Sequence, residues 1–239
     1  MSDIVFRSDV TVELVRSAAQ DSDVVFAARV STQGEASKAA AGAEATGRDN
    51  GLIRFLMRDR HGSPFEHNSF TFFVEAPIFV FREFMRHRIA SYNEESGRYR
   101  ELRPIFYVPS RERNLVQSGK PGAYEFHPGS EQQHEIVEQQ IRSSSEQSYA
   151  AYQRMLEAGV AREVARAVLP VNLFSSMYVT MNARSLMNFL SLRTKRDGAT
   201  FPSFPQREIE MVAEKMEDSF AEKMPLTHEA FEAGGRIAP

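Results

Sequence analysis

The chain has 239 residues, of which 42% are hydrophobic and 26% are charged, so intrinsic disorder is excluded for most of its length. Its 29 basic and 32 acidic residues give a net charge of −3, which offers no global cationic field for nucleic acid. There is no cysteine, which excludes disulfides, zinc–thiolate sites, iron–sulfur clusters and a cysteine nucleophile.

The sequence contains no pattern typical of a membrane-spanning helix or of a signal peptide. The longest apolar run, Ala76 to Phe81, is far shorter than the roughly 20 residues that a membrane-spanning helix needs. The opening residues 1–7 lack the basic and apolar regions of a signal peptide. We therefore expect a soluble cytoplasmic protein that has no membrane or nucleic acid partner.

The first half of the chain is predicted to alternate strands and helices. Apolar alternation favours strands over residues 10–15 and 69–74. Helical spacing favours three helices, over residues 24–30, 50–57 and Pro77 to about Arg88. Residues 21–23 can cap the first, Asn50 can cap the second, and Pro77 suits the first turn of the third. Residues 33–48 have no large apolar side chain and are predicted as either a helix with a poor core face or a mobile loop.

In the second half, breakers predict a long loop over residues 104–130, apart from a strand at 105–108. A strand is expected at 177–180 and a turn at 198–205. Helices are expected over residues 131–157, 183–193 and 206–222. No repeat or linker is visible, so residues 1–239 are predicted as a single α+β domain with a small antiparallel or mixed sheet flanked by long helices.

Arginines are concentrated after the third predicted helix. Six lie within 22 residues, interleaved with Glu94, Glu95 and Glu101: Arg82, Arg86, Arg88, Arg98, Arg100 and Arg103. On the predicted helix Glu83, Arg86 and His87 share one face. Guanidinium groups bind phosphate through paired hydrogen bonds, and a glycine lets backbone N–H approach an anion, but a solvated network of ion pairs explains the composition equally well.

Other catalytic patterns are weaker. No G-x-S-x-G surrounds Ser96, so its hydroxyl is expected to contact phosphate or backbone rather than act as a nucleophile. The residues His61, Glu66, His67 and His87 match no usual metal spacing, and we expect no metal. Glycine-rich dinucleotide and P-loop motifs do not occur.

The predicted helix over residues 182–193 is apolar around much of its circumference and is expected to be buried. Asn182 and Arg193 share one face about 16 Å apart along its axis, and buried polar side chains need partners. Either they form a structural hydrogen-bond network or the helix lies along an extended heteroaromatic ligand. Arg166, at another helix end, is expected to join a phosphate cluster.

Arg86-His87-Arg88, followed by seven residues and Ser96, resembles the R-H-R-x7-S signature of flavin-dependent thymidylate synthases. Further stretches match that family in order and spacing, and the resemblance covers roughly residues 10–225: residues 61–67, 76–80, 96–99, 165–170 and 182–193.

The resemblance implies a homotetrameric α+β enzyme that binds FAD between subunits. Such an enzyme methylates dUMP to dTMP, with carbon from methylenetetrahydrofolate and reducing equivalents from NADPH through the flavin. The lack of cysteine agrees with this, because the unrelated thymidylate synthase attacks uracil with a thiolate, whereas here the cofactor carries the redox step.

The resemblance also implies roles for individual residues. FAD contacts are implied for Ser63, Arg86, His87, Arg88, Glu94, Asn182, Ala183, Arg184 and Asn188. Contacts to dUMP, drawn from more than one chain, are implied for Glu83, Arg86, Glu94, Glu95, Ser96, Gly97, Arg98, Arg166 and Arg193. Arg193 would be catalytic, facing a uracil carbonyl and N3 and stabilising negative charge as C5 becomes nucleophilic. His61 would lie near the flavin edge and gate access.

Two departures from the family pattern stand out. Position 83 commonly carries Gln, and Glu83 adds a negative charge unless it pairs with Arg82 or His87. Residues 194–205 replace a short link to a His-Ala-Gln element and contain no histidine, so one flavin contact is missing unless Phe201 and Phe204 replace it by stacking. Two other functions stay open at this point: a metal-dependent nucleotide phosphohydrolase using His61, His67 and His87, and a nucleotide-sensing module without turnover.

Overall fold

The computed structural model describes residues 3–40, 47–121 and 123–239. Its first half contains β1 (Val5–Arg7), β2 (Thr11–Ala18), α1 (Asp21–Gln33), a 3-10 helix (Gly34–Ala40), α2 (Gly47–Arg58), a 3-10 helix (Ser63–Glu66), β3 (Ser69–Pro77), α3 (Ile78–Phe84) and β4 (Ser91–Glu94). The second half contains β5 (Ile105–Tyr107), β6 (Val116–Lys120), β7 (Ala123–His127), α4 (Glu131–Glu157), α5 (Arg162–Ala165), a 3-10 helix (Arg166–Val168), β8 (Phe174–Met181), α6 (Ala183–Arg193), α7 (Arg207–Lys223) and α8 (Pro225–Ala233).

The strands form small sheets of mixed direction. Four strands pair in the order β2-β3-β8-β4. β1 and β5 are parallel, with Val5 opposite Ile105, and β6 and β7 form an antiparallel hairpin with Val116 opposite His127. Together with the long helices, these sheets confirm the α+β class. No helix in the described part of the chain is both long enough and apolar enough to cross a membrane.

The chain divides into two compact units, and its assignment as one domain of residues 1–239 stays a prediction. Unit 1 contains Met1–Thr11, Glu75–Phe84 and Asn93–Met177. Unit 2 contains Val12–Val74, Met85–Tyr92 and Tyr178–Pro239.

The core of unit 1 lies under helix α4. Tyr149 and Tyr152 of this helix pack with Leu102, Phe106 and Leu173. The Tyr152 hydroxyl accepts a hydrogen bond from Leu102 N, and the Tyr149 hydroxyl donates to Leu102 O, each at 3.2 Å. Both polar groups of the Leu102 backbone are therefore satisfied inside the core, which fixes the chain where the arginine-rich segment ends.

The core of unit 2 is formed by helices that contact one another in succession. α6 packs on α7, α7 on α8, and α8 on α2. Phe70 of β3 meets Phe220 of α7 edge to face, with ring centroids 6.0 Å apart. In α6, Phe189 and Leu190 are fully buried, so this helix has a rigid support close to its last residue, Arg193.

The third helix is shorter than predicted. α3 ends at Phe84 rather than near Arg88, because Phe84 is fully buried and the chain turns from there into β4. The Tyr92 hydroxyl donates to the carbonyl of His87 at 2.6 Å. Because α3 ends at Phe84, the motif residues 86–88 lie outside the helix, and the inference that Glu83, Arg86 and His87 share a helix face is wrong.

Three other predicted boundaries are also corrected. Residues 104–130 contain the β6–β7 hairpin in addition to β5. Gly119, taken as a loop breaker, lies in β6 opposite Tyr124 with φ +92°, and Pro121 lies in the turn directly after this strand. α2 begins at Gly47 rather than after Asn50. The ambiguous segment 33–48 starts with the end of α1 and a 3-10 helix, and its residues 41–46 lie outside the described residues.

Asp21 does not cap the helix in which it lies. The residue before α1 is Gln20, whose N–H donates to Asp23 Oδ2 at 2.9 Å. The buried Asp21 carboxylate instead accepts from Leu226 N at 2.9 Å, Thr227 N at 2.8 Å and Thr227 Oγ1 at 2.7 Å. These donors lie in the first turn of α8, so Asp21 satisfies helix N–H groups that would otherwise be orphaned.

Candidate functional site

Arg193 is the last residue of α6, as predicted. The helix begins at Ala183, and the Asn182 side chain caps it by accepting a hydrogen bond from Ser185 N at 2.9 Å. Asn182 therefore precedes the helix, and the expectation that it presents its side chain on one helical face with Arg193 is wrong. Arg193 itself is half-buried, which restricts its guanidinium to few orientations.

The guanidinium of Arg193 is oriented by His87. Arg193 Nε donates to His87 Nε2 at 3.1 Å, and the imidazole meets Phe189 edge to face at a centroid distance of 4.8 Å. Burial and the charge of Arg193 lower the pKa of His87 to about 4. The imidazole is therefore neutral near pH 7, with Nε2 as acceptor and its proton on Nδ1. Tyr92, which holds the His87 carbonyl, has no signal in the sequence for this role.

The arginine-rich segment divides into paired and unpaired cations. Carboxylate partners are present in the pairs Arg98–Glu163 at 2.9 Å, Arg100–Glu95 at 3.1 Å and Arg103–Glu75 at 2.5 Å. Arg82, Arg86 and Arg88 are exposed and form no hydrogen bond or ion pair with the residues that the structure describes. The expected pairing of Glu83 with Arg82 is thus not formed. Both interpretations of the composition hold in part, and three guanidinium groups are open to an anion.

Ser96 organises a tight turn in unit 1. Its carbonyl accepts from Tyr99 N at 3.0 Å and Arg100 N at 3.2 Å, and its hydroxyl accepts from Arg98 N at 3.3 Å. The hydroxyl was expected to contact phosphate or backbone, and the structure shows the backbone contact. The turn places consecutive amides of residues 98–100 on one side of Ser96.

Two adjacent carboxylates precede this turn. Burial raises the pKa of Glu94, against the opposing effect of a hydrogen bond from Ser175. Glu95 donates its N–H to Ser176 O at 2.8 Å, and its Oε2 accepts from Ser176 Oγ at 3.2 Å. Its Oε1 is buried and lies near Arg100, yet accepts no hydrogen bond from the described chain. A buried carboxylate oxygen without a donor is costly, and it is suited to accept a hydrogen bond from a ligand.

Gly97 allows the Ser96 turn to approach Arg166. A Cβ built on Gly97 would lie 2.9 Å from Leu102 Cδ1 and 3.2 Å from Arg166 Cδ. Leu102 cannot retreat easily, because its backbone is bonded to the tyrosines of the unit 1 core. The structure thus brings the predicted residues 94–98 and Arg166 together within unit 1.

Gly97→Ala tests this close approach. We expect a loss of about 1–3 kcal/mol in the free energy of unfolding, because the added methyl overpacks the contact with Leu102. Chemical denaturation with two probes measures it. Gly51→Ala is the matched control, since a Cβ built at that position in α2 meets no atom within 4 Å. A Gly97→Ala protein as stable as wild type would show that the turn moves freely away from Leu102.

A second set of predicted residues meets at the start of α6 in unit 2. Asn68 Oδ1 accepts from Ala183 N at 2.7 Å, just after the 3-10 helix that begins with Ser63. Arg184 Nη1 contacts Glu66 at 2.5 Å, and its Nε donates to Pro239 O at 2.6 Å. The segments 63–68 and 182–184 are therefore adjacent, as the motif order led us to expect.

Two further predicted residues lie at the borders of this region. Asn188 is exposed and its Nδ2 donates to Arg184 O at 3.1 Å. His61 is exposed, with its ring 5.6 Å from that of Phe55. Neither contact tests the role of His61 at a flavin edge, which stays a prediction.

Among the described residues, the one cluster with the geometry of a metal site is Glu217, His228 and Glu232, whose ligand atoms lie within 4.8 Å of one another. It includes none of the histidines that the phosphohydrolase alternative requires. Arg236 Nη1 donates to Glu217 Oε1 at 2.6 Å and also bonds Glu232, so a guanidinium already neutralises these carboxylates.

Comparison with known proteins identifies the family. A family model described as thymidylate synthase complementing protein matches residues 13–226. Flavin-dependent thymidylate synthases of Streptomyces coelicolor and Tropheryma whipplei are 67% and 59% identical over 99% of this chain, and the matches cover 96% and 98% of those proteins. Crystal structures of a UMP/dUMP methylase, PolB from Streptomyces cacaoi, bound with 5-Br UMP and 5-Br dUMP, have TM-scores of 0.90 and 0.92 at 55% and 56% identity, covering 99% of this chain and 100% of theirs. The chain belongs to the flavin-dependent thymidylate synthase family.

Proposed function

We propose that this enzyme methylates dUMP to dTMP with FAD as its cofactor, methylenetetrahydrofolate as the carbon donor and NADPH as the reductant. The observation that carries the proposal is the Arg193–His87 hydrogen bond. It joins two family motifs that lie 106 residues apart and leaves a permanently charged guanidinium oriented by a neutral imidazole. Such a preorganised cation stabilises a charge that develops in a reaction.

Arg193 is assigned to the uracil ring. Its Nε donates to His87, which sets the plane of the guanidinium. Facing a uracil carbonyl and N3, the charged guanidinium would stabilise negative charge on the ring as C5 becomes nucleophilic. The neutral state of His87 matters here, because a protonated imidazole could not accept this hydrogen bond.

The nucleotide itself is assigned to the segment 94–98 with Arg166. Glu95 Oε1 is buried beside Arg100 but accepts no hydrogen bond from the described chain, and a ribose hydroxyl or ring N–H would supply one. The Arg166 guanidinium, which lies beside the Ser96 turn, suits a phosphate. PolB is named as a methylase of both UMP and dUMP, so the ribonucleotide is the second substrate to test.

The residues present also fit FAD. Arg86 and Arg88 are exposed guanidinium groups without carboxylate partners among the described residues, which suits an anionic diphosphate. Ser63, Arg184 and Asn188 would complete the contacts. When bound, the flavin supplies the redox chemistry of the methylation, which leaves binding, orientation and charge stabilisation to the protein.

We further propose that the enzyme is a homotetramer whose active sites combine residues of several chains. Large apolar side chains lie exposed beside motif residues: Ile89 is 75%, Tyr99 80% and Leu192 60% exposed. Each is next to an arginine assigned to a ligand, so a partner subunit that covers these side chains would also exclude water from the bound nucleotide.

The test is an anaerobic assay with dUMP, methylenetetrahydrofolate and NADPH, with and without added FAD. We expect a yellow protein with a flavin absorbance spectrum and dTMP formation that depends on FAD and resists EDTA. UMP replaces dUMP in a parallel arm. A colourless protein that cannot take up FAD would overturn the proposal, tight dUMP binding without turnover would indicate a sensing module, and EDTA-sensitive phosphate release would indicate the phosphohydrolase.

A further inference from the structure

Thr194, the residue directly after Arg193, is held by several hydrogen bonds. Thr194 is 2% exposed. Its hydroxyl donates to Leu190 O at 2.8 Å and accepts from Arg236 Nη2 at 2.7 Å, and its carbonyl accepts from Ser203 Oγ. Every hydrogen-bonding group of the Thr194 side chain is therefore occupied, one peptide bond away from the residue assigned to the uracil ring.

Arg236 occupies a strained position. It is 3% exposed and has φ +59°, in the left-handed region that non-glycine residues seldom adopt. Its guanidinium lies over the Phe231 ring at 4.9 Å and donates to Glu217 Oε1 at 2.6 Å. A strained, buried cation persists only where the surrounding contacts compensate for it, and such positions concentrate at functional sites.

Glu217 extends the same network to the far side of Thr194. Its Oε2 accepts from Arg196 Nη2 at 3.1 Å, and its Oε1 also lies 3.2 Å from His228 Nε2. Burial opposes ionisation of this carboxylate, but the bond from His228 and the charge of Arg236 lower the pKa of Glu217. An ionised Glu217 thus links Arg236 to Arg196, and the chain is fixed on both sides of Lys195.

Residues 235–236, which form a corner after α8, pack closely against Thr200. Gly235 has φ +70°, and its carbonyl accepts from Thr200 N at 2.9 Å. A Cβ on Gly235 would lie 2.1 Å from Thr200 Oγ1. The corner therefore contacts the segment 194–205, which departs from the family pattern.

We propose that Arg236 is a positioning residue for Arg193, acting through the hydroxyl of Thr194. The bond to Thr194 fixes the end of α6, and His87 then fixes the guanidinium. The effect on substrate rests on the proposed function, in which Arg193 contacts uracil. A displacement of about 1 Å at a reacting group costs about 100-fold in rate, so the loss of one such anchor is measurable.

Thr194→Val tests the proposal, because it keeps the shape of the side chain and removes the hydroxyl, which accepts from Arg236 and donates to Leu190 O. We expect kcat/KM for dUMP to fall about tenfold to 100-fold, mainly through kcat, with FAD affinity unchanged. Thr194→Ser keeps the hydroxyl and should restore near-wild-type rates. Arg236→Lys keeps the charge beside Glu217 but loses the forked donor set, and should resemble Thr194→Val. Arg54→Gln, which removes an exposed pair with Glu229, is the control on the α2 and α8 helices.

Hydrogen exchange distinguishes a failure of the positioning role from a failure of the proposed function. Deuterium uptake of the peptide spanning residues 190–196 should rise in Thr194→Val and not in Thr194→Ser, each compared at equal distance below its own Tm. Unchanged exchange together with unchanged kcat/KM would overturn the positioning role. If wild-type enzyme neither binds dUMP nor turns it over, the proposed function fails, and the exchange difference alone decides whether Arg236 anchors the end of α6. Wild-type-like exchange in Thr194→Val then overturns the proposal.

Discussion

Replacing Arg193 by alanine is expected to reduce dTMP formation by about 100-fold to 1,000-fold, the range seen when one preorganised donor to a developing charge is removed. The physical reason is that Arg193 supplies a full positive charge in a half-buried position, with its plane set by the bond from Nε to His87. Water that enters the vacated space must reorganise as charge develops on the uracil ring, whereas the guanidinium need not. Single-turnover kinetics and dUMP titration calorimetry on the FAD-loaded enzyme separate the loss of rate from the loss of binding.

Lys195→Ala is the matched control for Arg193→Ala. It removes an exposed cation two residues away whose side chain forms no hydrogen bond or ion pair with the described residues, although its N–H donates to Glu210 Oε1 at 2.9 Å. Arg193→Lys should fall between the two, because lysine keeps the charge but presents no planar fork to the imidazole and substrate together. An Arg193→Ala enzyme with wild-type single-turnover rates would remove Arg193 from the mechanism.

Glu95→Gln is expected to weaken dUMP binding by about tenfold to 100-fold, because a hydrogen bond to a charged acceptor contributes about 1.5–3 kcal/mol. The substitution keeps the shape of the side chain and an oxygen for the Ser176 hydroxyl, which bonds Oε2 at 3.2 Å. It removes the negative charge of the buried oxygen that accepts no hydrogen bond from the described protein.

The stability of Glu95→Gln gives this prediction a second readout. Glu95→Gln also removes the ion pair between Arg100 and the same oxygen, but Arg100 is exposed and such pairs contribute at most about 1 kcal/mol. The ligand-free variant should therefore keep nearly wild-type stability, while dUMP should raise its Tm less. Glu163→Gln is the control, because it removes an exposed partner of Arg98 in the same unit. A variant that lost stability without ligand but bound dUMP normally would make Glu95 a structural residue.

Helices and strands were predicted correctly where neighbouring residues alone determine them. The helix predicted over residues 131–157 matches α4, Glu131–Glu157, and the structure shows Ser130 capping its first turn by accepting from Gln133 N. The predicted end of α3 was wrong because helical spacing continues past Phe84 in the sequence. In the structure the chain leaves the helix at that point, and the Tyr92 hydroxyl bonds the His87 carbonyl. The β6–β7 hairpin was missed because its strands have little apolar alternation, and because Gly119 in β6 and Pro121 after it were taken as loop breakers.

The same division applies to the site. The family resemblance implied that Ser63 and residues 182–184 contribute to one site, and contacts through Asn68 and Glu66 bring these two segments together. It could not predict that Glu95 keeps a buried oxygen free of donors, since this depends on how Arg100 is aligned. The sequence also does not indicate that Arg236 bonds Thr194, 42 residues before it, because hydrogen-bond partners in a core do not recur at a regular sequence spacing.

The cap that Asp21 provides for α8 has a consequence for synthesis on the ribosome. Asp21 is made 206 residues before Thr227, and at about 5–20 residues per second this interval is roughly 10–40 s. During that time the first helix lacks the donors that its carboxylate finally bonds, and unit 2 cannot close, because its last segment begins at Tyr178. Unit 1 is complete once Met177 has emerged, so the nascent chain should acquire protease resistance around α4 well before it does so around α1.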